Sequence, residues 1–281
     1  MNGAENINNP QHPACFIPCV NAQPFLNVIS LGAGKQSSYM LLTALENAYN
    51  SKPDFAIFSD TGCEPEFTYQ FLNWLKDHVK SKYDFDIVIV SKGDIMTDII
   101  DYIEGRKAGN PQIPLRLGDG GGILNRHCTS DYKIAPIRKY LQSVRNGQKI
   151  RLWIGISLDE MERQKTSDVQ FIEHYYPLIE KRIKIDQIRE WFRLNDVPEP
   201  MKSSCLICPF HSKQYWQLFK KNFPNEFEKA CKFDEKIRNY PKLKSKAYLY
   251  KDLKPLRDID FSQQPSLFPE LIEECYGLCG L

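Results

Sequence analysis

Nine cysteines are the residues best suited to chemistry in this chain, and five of them occur in suggestive contexts. Cys205 and Cys208 form a C-x-x-C pair, and Cys275 and Cys279 form a C-x-x-x-C pair near the end of the sequence. Cys128 stands alone in "RHCTSDYK". A C-x-x-C pair can place two thiolates on one metal centre, either tetrahedral zinc or one edge of an iron–sulfur cluster. A second pair supplies the four ligands that either centre needs, so Cys205, Cys208, Cys275 and Cys279 are the predicted metal ligands on spacing alone.

The remaining cysteines are expected to be structural thiols: Cys15, Cys19, Cys63 and Cys231. His211 follows the C-x-x-C pair closely, and it can be a ligand, a donor to a ligand or a residue at the start of a helix. His78 lies at the end of an amphipathic segment and is expected to be structural.

A glycine-containing turn, "SLGAGKQSS" (30–38), follows an apolar run and precedes an amphipathic one. It fits neither the GxxxxGK[ST] nor the GxGxxG template for phosphate binding. Gly32 and Gly34 permit close backbone approach, and the following helix offers N–H groups to phosphate oxygens. The predicted phosphate-binding residues are Gly32, Gly34, Lys35, Gln36, Ser37 and Ser38.

Two further polar segments follow predicted strands. In "SDTGCEPE", Asp60, Thr61 and Gly62 leave the second strand, where a carboxylate could receive a ribose hydroxyl or a base amine. In "GISLDEMER", the candidate residues are Gly155, Asp159, Glu160 and Arg163. Those charged residues could equally be an ordinary helix start with surface ion pairs. Ligands of open parallel sheets bind beyond the carboxyl ends of strands, which favours the binding interpretation.

Strand-like and helix-like segments alternate in the first two hundred residues. Short apolar runs at 25–31, 54–60, 85–91 and 149–157 predict buried strands, with helical periodicity between them. Helices are also predicted near 185–197, with Asp186 as the cap, and twice within 211–239. This order predicts an α/β fold, a doubly wound, mostly parallel sheet covered on both faces, with a C-terminal helical extension that contains cysteines.

Three regions are expected: a flexible lead-in at 1–24, a nucleotide-binding α/β domain at 25–200, and a helical, Cys-rich region at 201–281 packed on that domain. No apolar run approaches the roughly 18 residues that a membrane-spanning helix needs, so no membrane association is expected. The N-terminal residues lack the features of a secretory signal, and clustered thiols suit a reducing compartment. The expected location is therefore cytoplasmic.

Positive charge is concentrated late in the chain, although the net charge is only +2. The segment from Lys213 to Arg257 carries thirteen Lys/Arg against five Asp/Glu. Such an excess suits an anionic partner such as a nucleic acid, or it is simply a solvated, lysine-rich helical surface.

Taken in order, the motifs resemble the phosphoadenylyl sulfate (PAPS) reductase-like branch of the PP-loop, or adenine nucleotide α-hydrolase-like, superfamily. The resemblance covers most of the chain from about residue 25 and is carried by "SLGAGKQSS", "FSDTGCEPE", "RHCTSDYKIAPI", "WIGISLDEMER", "YPLIE", "SSCLICPFH" and "ECYGLCG". It implies a Rossmann-like sheet whose first turn holds the phosphates of an adenine nucleotide, either ATP or a sulfonucleotide. ATP-cleaving relatives have SGGxDS in this turn, whereas here Gln36 stands at the Asp position. That departure favours nucleotide binding without ATP cleavage, as in the reductases.

The same resemblance bears on the cysteines. "HCTSDYKIAPI" is similar to the CCxxRKxxPL segment of reductases that hold a [4Fe–4S] cluster with a later CxxC, but His127 stands at the first cysteine position. Three thiolates therefore carry over: Cys128, Cys205 and Cys208. Cys275 or Cys279 could supply the fourth ligand, or one iron could stay open to bind sulfur, as in some tRNA-thiolating relatives. The terminal "EECYGLCG" is similar to the ECGLH tail of sulfonucleotide reductases, in which a cysteine attacks the sulfate sulfur. Cys275 could therefore be a nucleophile instead of a ligand.

Two functional hypotheses follow. The first is an enzyme of sulfur chemistry that binds an adenine nucleotide and reduces or transfers sulfur, acting on a free sulfonucleotide or on a nucleic acid, with a protein donor of sulfur or electrons. The second is a non-catalytic nucleotide-binding or scaffold protein with a structural zinc.

Overall fold

The computed structural model describes residues 25–109, 113–118, 120, 122–240 and 243–262. The strands in this part of the chain are β1 (Leu26–Leu31), β2 (Phe55–Asp60), β3 (Ile87–Ser91), β4 (Arg116–Leu117), β5 (Gly122–Ile123), β6 (Ile150–Ile154), β7 (Ile172–Tyr175) and β8 (Ala247–Tyr248). The α-helices are α1 (Lys35–Leu45), α2 (Glu66–Tyr83), α3 (Ile95–Ile103), α4 (Ala135–Val144), α5 (Pro177–Glu180), α6 (Ile185–Leu194), α7 (Lys213–Asn222) and α8 (Pro224–Ile237). A π-helical segment, Ser130–Ile134, runs directly into α4, and 3₁₀ segments cover Leu158–Arg163 and Leu256–Asp258.

The central sheet has five parallel strands in the order β3-β2-β1-β6-β7. From β1 the chain winds outward through β2 and β3, and it then returns to place β6 on the other side of β1. The strand order therefore reverses between β1 and β6, which is where ligands of doubly wound sheets bind. The predicted α/β fold with a mostly parallel sheet is confirmed.

Consecutive residues of the central strands pack on opposite faces of this sheet. Val28, Ile57 and Leu152 join a buried cluster with residues of α4. Their sequence neighbours Ile29, Phe58 and Trp153 join a second cluster with residues of α1, α2 and α6. Because side chains alternate along a strand, strands that are apolar at successive positions must be covered on both faces.

The C-terminal helices form a third cluster around Trp216 and Phe219, which also includes residues of α3 and the buried Tyr132. A small antiparallel sheet, in the order β5-β4-β8, joins the connection before α4 to the C-terminal region. The buried carboxylate of Asp234 on α8 accepts hydrogen bonds from the N–H groups of Leu249 (2.8 Å) and Leu256 (2.9 Å). The described part of the C-terminal region thus packs against the α/β core, while the exact domain limits stay a prediction.

One local prediction is wrong. The helix at 185–197 is not capped by Asp186, because α6 already begins at Ile185 and Asp186 pairs with Arg189 at 3.0 Å. The N–H of Ile185, the first residue of α6, donates instead to Asp159 Oδ2 at 2.6 Å. Asp159 belongs to a segment that is distant in sequence. The predicted lead-in at 1–24 lies outside the described residues. None of the helices in the described ranges combines the length and the apolar character that crossing a bilayer requires.

Candidate functional site

The glycine turn lies at the switch point, between the end of β1 and the start of α1. Ala33 is buried in a left-handed backbone conformation, with φ of 54°, and Gly34 is extended immediately before the helix. The N–H of Gly32 donates to Ser37 Oγ at 3.1 Å, and that hydroxyl donates to the carbonyl of Gly34 at 3.4 Å. No side chain caps α1 at Gly34. The first N–H groups of this helix are therefore available to an anion.

Gly155 holds this turn in place from the neighbouring strand. A Cβ atom at Gly155 would lie 2.8 Å from both the Cα and the N of Ser37, and 3.1 Å from the carbonyl carbon of Gln36. Carbon atoms do not approach backbone so closely without displacement, so only glycine lets the end of β6 touch the first turn of α1. Gly155 thus supports the turn by packing against the first residues of α1. It also lines the adjoining cavity.

A cavity of about 170 Å³ opens at this point, between the carboxyl ends of the strands and α4. Its apolar wall is formed by residues of four strands, the segment after β6, the π-helical segment and α4: Leu31, Phe58, Ile134, Ile137, Leu152, Ile154, Ile156 and Ile172. Seven of the predicted nucleotide-binding residues line it: Gly32, Gly34, Lys35, Gln36, Ser37, Gly155 and Arg163. An apolar wall that ends in a polar turn suits a planar base joined to an anionic group.

Five basic side chains line this cavity: Lys35, Lys133, Arg138, Arg163 and Lys202. Four of them are paired with carboxylates that do not themselves line it. Lys35 pairs with Glu199 at 2.6 Å, Arg163 with Glu160 at 2.7 Å and Lys133 with Glu64 at 3.7 Å, while Arg138 contacts Asp168. Lys202 lies 5.7 Å from the centre of the Tyr215 ring. These pairs orient the basic groups without placing an acid in the cavity.

Gln36 is buried at the start of α1. Its amide nitrogen donates to Glu160 Oε2 at 2.7 Å and to Ser157 Oγ at 3.1 Å. Ser157 donates to Asp159 Oδ2 at 3.2 Å. Asp159 and Glu160, both predicted site residues, therefore support the turn from outside the cavity and do not line it. A carboxylate at position 36 would instead face the carboxylate of Glu160.

The predicted site residues Asp60, Thr61 and Gly62 do not line the large cavity. Asp60 Oδ1 accepts hydrogen bonds from the Tyr69 hydroxyl and from the N–H of Gly62, both at 2.8 Å. Gly62 has φ of 69°, and a Cβ there would meet Asp94 Cα at 2.7 Å. Ser38 is fully buried and also lies outside the cavity lining. Within the described residues these groups shape the strand ends, and their predicted contact with a nucleotide stays a prediction.

A second, smaller cavity, of about 30 Å³, brings three predicted metal ligands together: Cys128, Cys205 and Cys208. The C-x-x-C turn is held against the end of β2, because the N–H of Leu206 donates to the carbonyl of Cys63 at 2.8 Å. Arg126 and Lys133 also line this cavity and place positive charge beside the thiols. Cys231, predicted to be structural, is buried in the third hydrophobic cluster and does not line this cavity.

The sequence did not identify Glu64 and Lys133, which connect the two cavities. The Glu64 side chain is 1% exposed, and its Oε1 lies 3.0 Å from Thr61 Oγ1 and 3.5 Å from Cys205 Sγ. Burial, with the Glu64 charge as a second cause, raises the pKa of the Cys205 thiol, which donates its hydrogen to that carboxylate. Lys133 lines both cavities and contacts Glu64. One wall is therefore shared between the glycine-turn cavity and the cysteine cavity.

His211 supports the C-x-x-C turn rather than facing a ligand position. Its Nε2 lies 2.9 Å from the carbonyl oxygen of Cys205, so this nitrogen carries the hydrogen and donates it. The ring stacks on Tyr215 with centroids 3.9 Å apart. Burial, reinforced by the charge of Lys202, lowers the pKa of His211 to about 3, which keeps the imidazole neutral near pH 7. His78 stacks on Trp74, in agreement with its predicted structural role.

The cysteine cavity suits an iron–sulfur cluster better than a single metal ion. Zinc needs every ligand within about 2.3 Å of one point. Within the described ranges no three Cys, His, Asp or Glu side chains converge in this way. An iron–sulfur cluster binds its cysteines on separate irons, so three thiols spread around one cavity fit it better than they fit a single ion. Cys275 and Cys279 lie outside the described residues.

Comparison with known proteins gives distant similarities. No protein-family model matches the chain. The uncharacterized nin region protein ORF290 of Escherichia phage lambda is 24% identical over 163 residues, covering 50% of this chain and 51% of the phage protein. The chain thus spans about half the length of that relative.

Two solved structures are similar at a TM-score of 0.42. A PAPS reductase from Candida auris, in complex with phosphate, shares 14% identity over 63% of this chain and 76% of its own. The U34-tRNA thiolase NcsA from Methanococcus maripaludis, with its [4Fe–4S] cluster, shares 15% identity over 92% of this chain and 82% of its own.

Proposed function

We propose that this chain is a PAPS reductase-like PP-loop enzyme of sulfur chemistry, which binds an adenine sulfonucleotide and acts on its sulfur with cysteine-based chemistry. The observation that carries this proposal is the wall shared between the glycine-turn cavity and the cysteine cavity. Lys133 lines both, and through Glu64 it is linked to Cys205. A ligand anchored at the turn would therefore lie next to the cysteine cavity and the cluster that its cysteines are proposed to hold.

The large cavity has separate regions for the base and for the anionic group of the proposed nucleotide. The apolar side chains of β6 and α4 accept the adenine ring, and the turn with the N-terminus of α1 holds the anionic group. Lys35 and Arg163 add charge at the turn, and Lys133 adds charge on the side of the thiols. The proposed nucleotide-binding residues are those that line the cavity, with Asp159 and Glu160 as supports of the turn.

Gln36 supports a sulfonucleotide over ATP cleavage. Its amide donates to Glu160 and Ser157, so the position that is acidic in ATP-cleaving relatives is neutral here and committed to the protein. Cleavage of ATP to AMP and pyrophosphate is therefore not part of the proposed reaction.

The proposed cofactor of the small cavity is a [4Fe–4S] cluster held by Cys128, Cys205 and Cys208. Arg126 and Lys133 suit such a site, because they offset the negative charge of the thiolates. Cys275 or Cys279 is the proposed fourth ligand or the nucleophile. When bound, such a cluster supplies electrons or an iron site for sulfur.

Reduction of a sulfonucleotide needs two electrons. One thiolate attacks the sulfate sulfur, the bond from that sulfur to the bridging phosphate oxygen breaks, and the nucleoside phosphate leaves. A second thiol attacks the sulfur of the modified cysteine, releasing sulfite and leaving a disulfide. The electrons come from the two thiols, so a partner protein must supply electrons to restore them.

A nucleic acid as sulfur acceptor is the second candidate. Nine lysines of the Lys213–Arg257 segment are exposed within the described residues: Lys220, Lys221, Lys229, Lys232, Lys236, Lys244, Lys246, Lys251 and Lys254. Its two arginines pair with acids, Arg238 with Asp234 and Arg257 with Glu228 and Glu235. Exposed lysines of this number suit contact with phosphate groups.

Product analysis under anaerobic conditions tests the proposal. The protein is incubated with adenosine 5′-phosphosulfate or its 3′-phosphorylated form and a thiol reductant, and sulfite and nucleoside phosphate are quantified. We expect both products in equal amounts, and no pyrophosphate from ATP alone. Pyrophosphate and AMP formed only when ATP, a sulfur donor and RNA or DNA are present would favour the nucleic acid candidate. A colourless zinc protein without turnover in any mixture would contradict both and favour a scaffold.

A further inference from the structure

The cavity at the glycine turn contains no carboxylate among the described residues that line it. Its charged lining consists of Lys35, Lys133, Arg138, Arg163 and Lys202, and His174 of β7 lies among them. Protein sites for Mg²⁺-bound nucleotides hold the ion through one or two carboxylates in addition to the phosphates. This lining offers charge to the nucleotide but no such ligand to the ion.

The carboxylates nearest to the turn are already occupied. Glu160 accepts from Gln36 through Oε2 and pairs with Arg163 through Oε1, each at 2.7 Å. Asp159 Oδ2 accepts from Ser157 at 3.2 Å and from the first N–H of α6 at 2.6 Å. Recruiting either side chain to an ion would break hydrogen bonds that hold the turn and the start of α6.

We propose that this cavity takes its nucleotide as the metal-free anion and discriminates against the Mg²⁺ complex, with Gln36 as the specificity-determining residue. The inference rests on the proposed nucleotide site and deepens it by defining the ionic form of the ligand. The amide of Gln36 donates a hydrogen bond to Glu160 and carries no charge. Gln36 therefore adds no charge to the start of α1. A bound Mg²⁺ would bring positive charge next to five basic side chains, and the acids that pair with four of them do not line the cavity and are held by those pairs.

Calorimetric titration of the full chain with ATP and with adenosine 5′-phosphosulfate, in EDTA or in excess MgCl₂, tests this inference. We expect ATP to bind in EDTA and to bind about tenfold or more weakly in Mg²⁺, because the complex has lost negative charge. The sulfonucleotide binds Mg²⁺ weakly, so its affinity should be the same in both buffers once ionic strength is matched. ATP binding that is unchanged or tighter in Mg²⁺ overturns the inference and leaves the proposed function intact. Failure of every nucleotide to bind in both buffers overturns the proposed function and the inference with it.

A near-isosteric variant provides a second readout. Gln36→Glu sets a carboxylate against Glu160 and should weaken ATP binding in EDTA, while added Mg²⁺ should restore it by bridging the two acids. Gln70→Glu is the matched control, because Gln70 also has its amide beside a glutamate, Glu66, at 3.5 Å, but lies exposed on α2. It should show the wild-type response to Mg²⁺. A folded Gln36→Glu protein that still binds ATP more weakly in Mg²⁺ than in EDTA contradicts the role given to Gln36.

Discussion

Gly155→Ala should abolish binding of an adenine nucleotide and lower the free energy of unfolding by about 1–3 kcal/mol, the usual cost of overpacking a close contact. The added methyl group would lie 2.8 Å from the backbone of Ser37, so either β6 or the first turn of α1 must move. Because that turn is proposed to hold the anionic group, a displacement of about 1 Å should be enough to lose its N–H contacts. Calorimetric titration and denaturant unfolding measure the two effects.

Gly34→Ala is the matched control for this substitution. A Cβ at Gly34 would meet only Ser203 Cβ, at 3.7 Å, which is an ordinary contact. Gly34 is the N-cap of α1, where alanine should cost no more than about 1 kcal/mol, so a larger loss of binding reports the approach of the anion to the turn. Wild-type affinity and stability in Gly155→Ala would show that the contact between β6 and α1 does not position the site.

Cys205→Ala should remove the metal centre from anaerobically purified protein. The wild type is expected to be brown, with broad absorbance near ~400 nm from an iron–sulfur cluster. Loss of one thiolate from a three-cysteine set leaves too few ligands to retain it. Iron analysis and the absorbance spectrum should show near-complete loss in this variant, and the same loss in Cys128→Ala and Cys208→Ala.

Cys231→Ala is the control for these three variants. Cys231 is as buried as the core residues around it, but it does not line the cysteine cavity. It should keep the iron content and the colour of the wild type. One equivalent of zinc with no iron in the wild type would contradict the cluster, and iron retained in Cys205→Ala would show that the C-x-x-C pair is not a ligand pair.

The central sheet could be predicted from the sequence because its strands are apolar at successive positions. Residues such as Val28 and Ile29 bury on opposite faces, and this pattern indicates a parallel sheet covered by helices. β7 was not predicted, because its sequence "IEHY" has polar residues at an edge position. β4, β5 and β8 are two residues long, and their pairing depends on contacts between distant segments.

The glycine turn and the C-x-x-C pair were also recognisable, because each depends on residue types at fixed local spacing. The role of Glu64 could not be recognised, because the sequence "SDTGCEPE" predicts an exposed acid. In the fold the C-x-x-C turn packs over Glu64 and buries it. Asp186 was assigned as a cap for the same reason: the acid that receives the first N–H of α6 is Asp159, brought there by the fold. Long-range packing decided both outcomes, and local patterns do not contain that information.

The central claim is that the glycine turn holds the anionic part of an adenine nucleotide. Calorimetric titration of the anaerobic wild-type protein with adenosine 5′-phosphosulfate and with adenosine tests it most directly, because the two ligands share the base and ribose. We predict saturable binding of the sulfonucleotide and at least about tenfold weaker binding of adenosine, the loss expected when an anion is removed from a basic site. Equal affinity for the two ligands, or no binding of the sulfonucleotide, would contradict the claim.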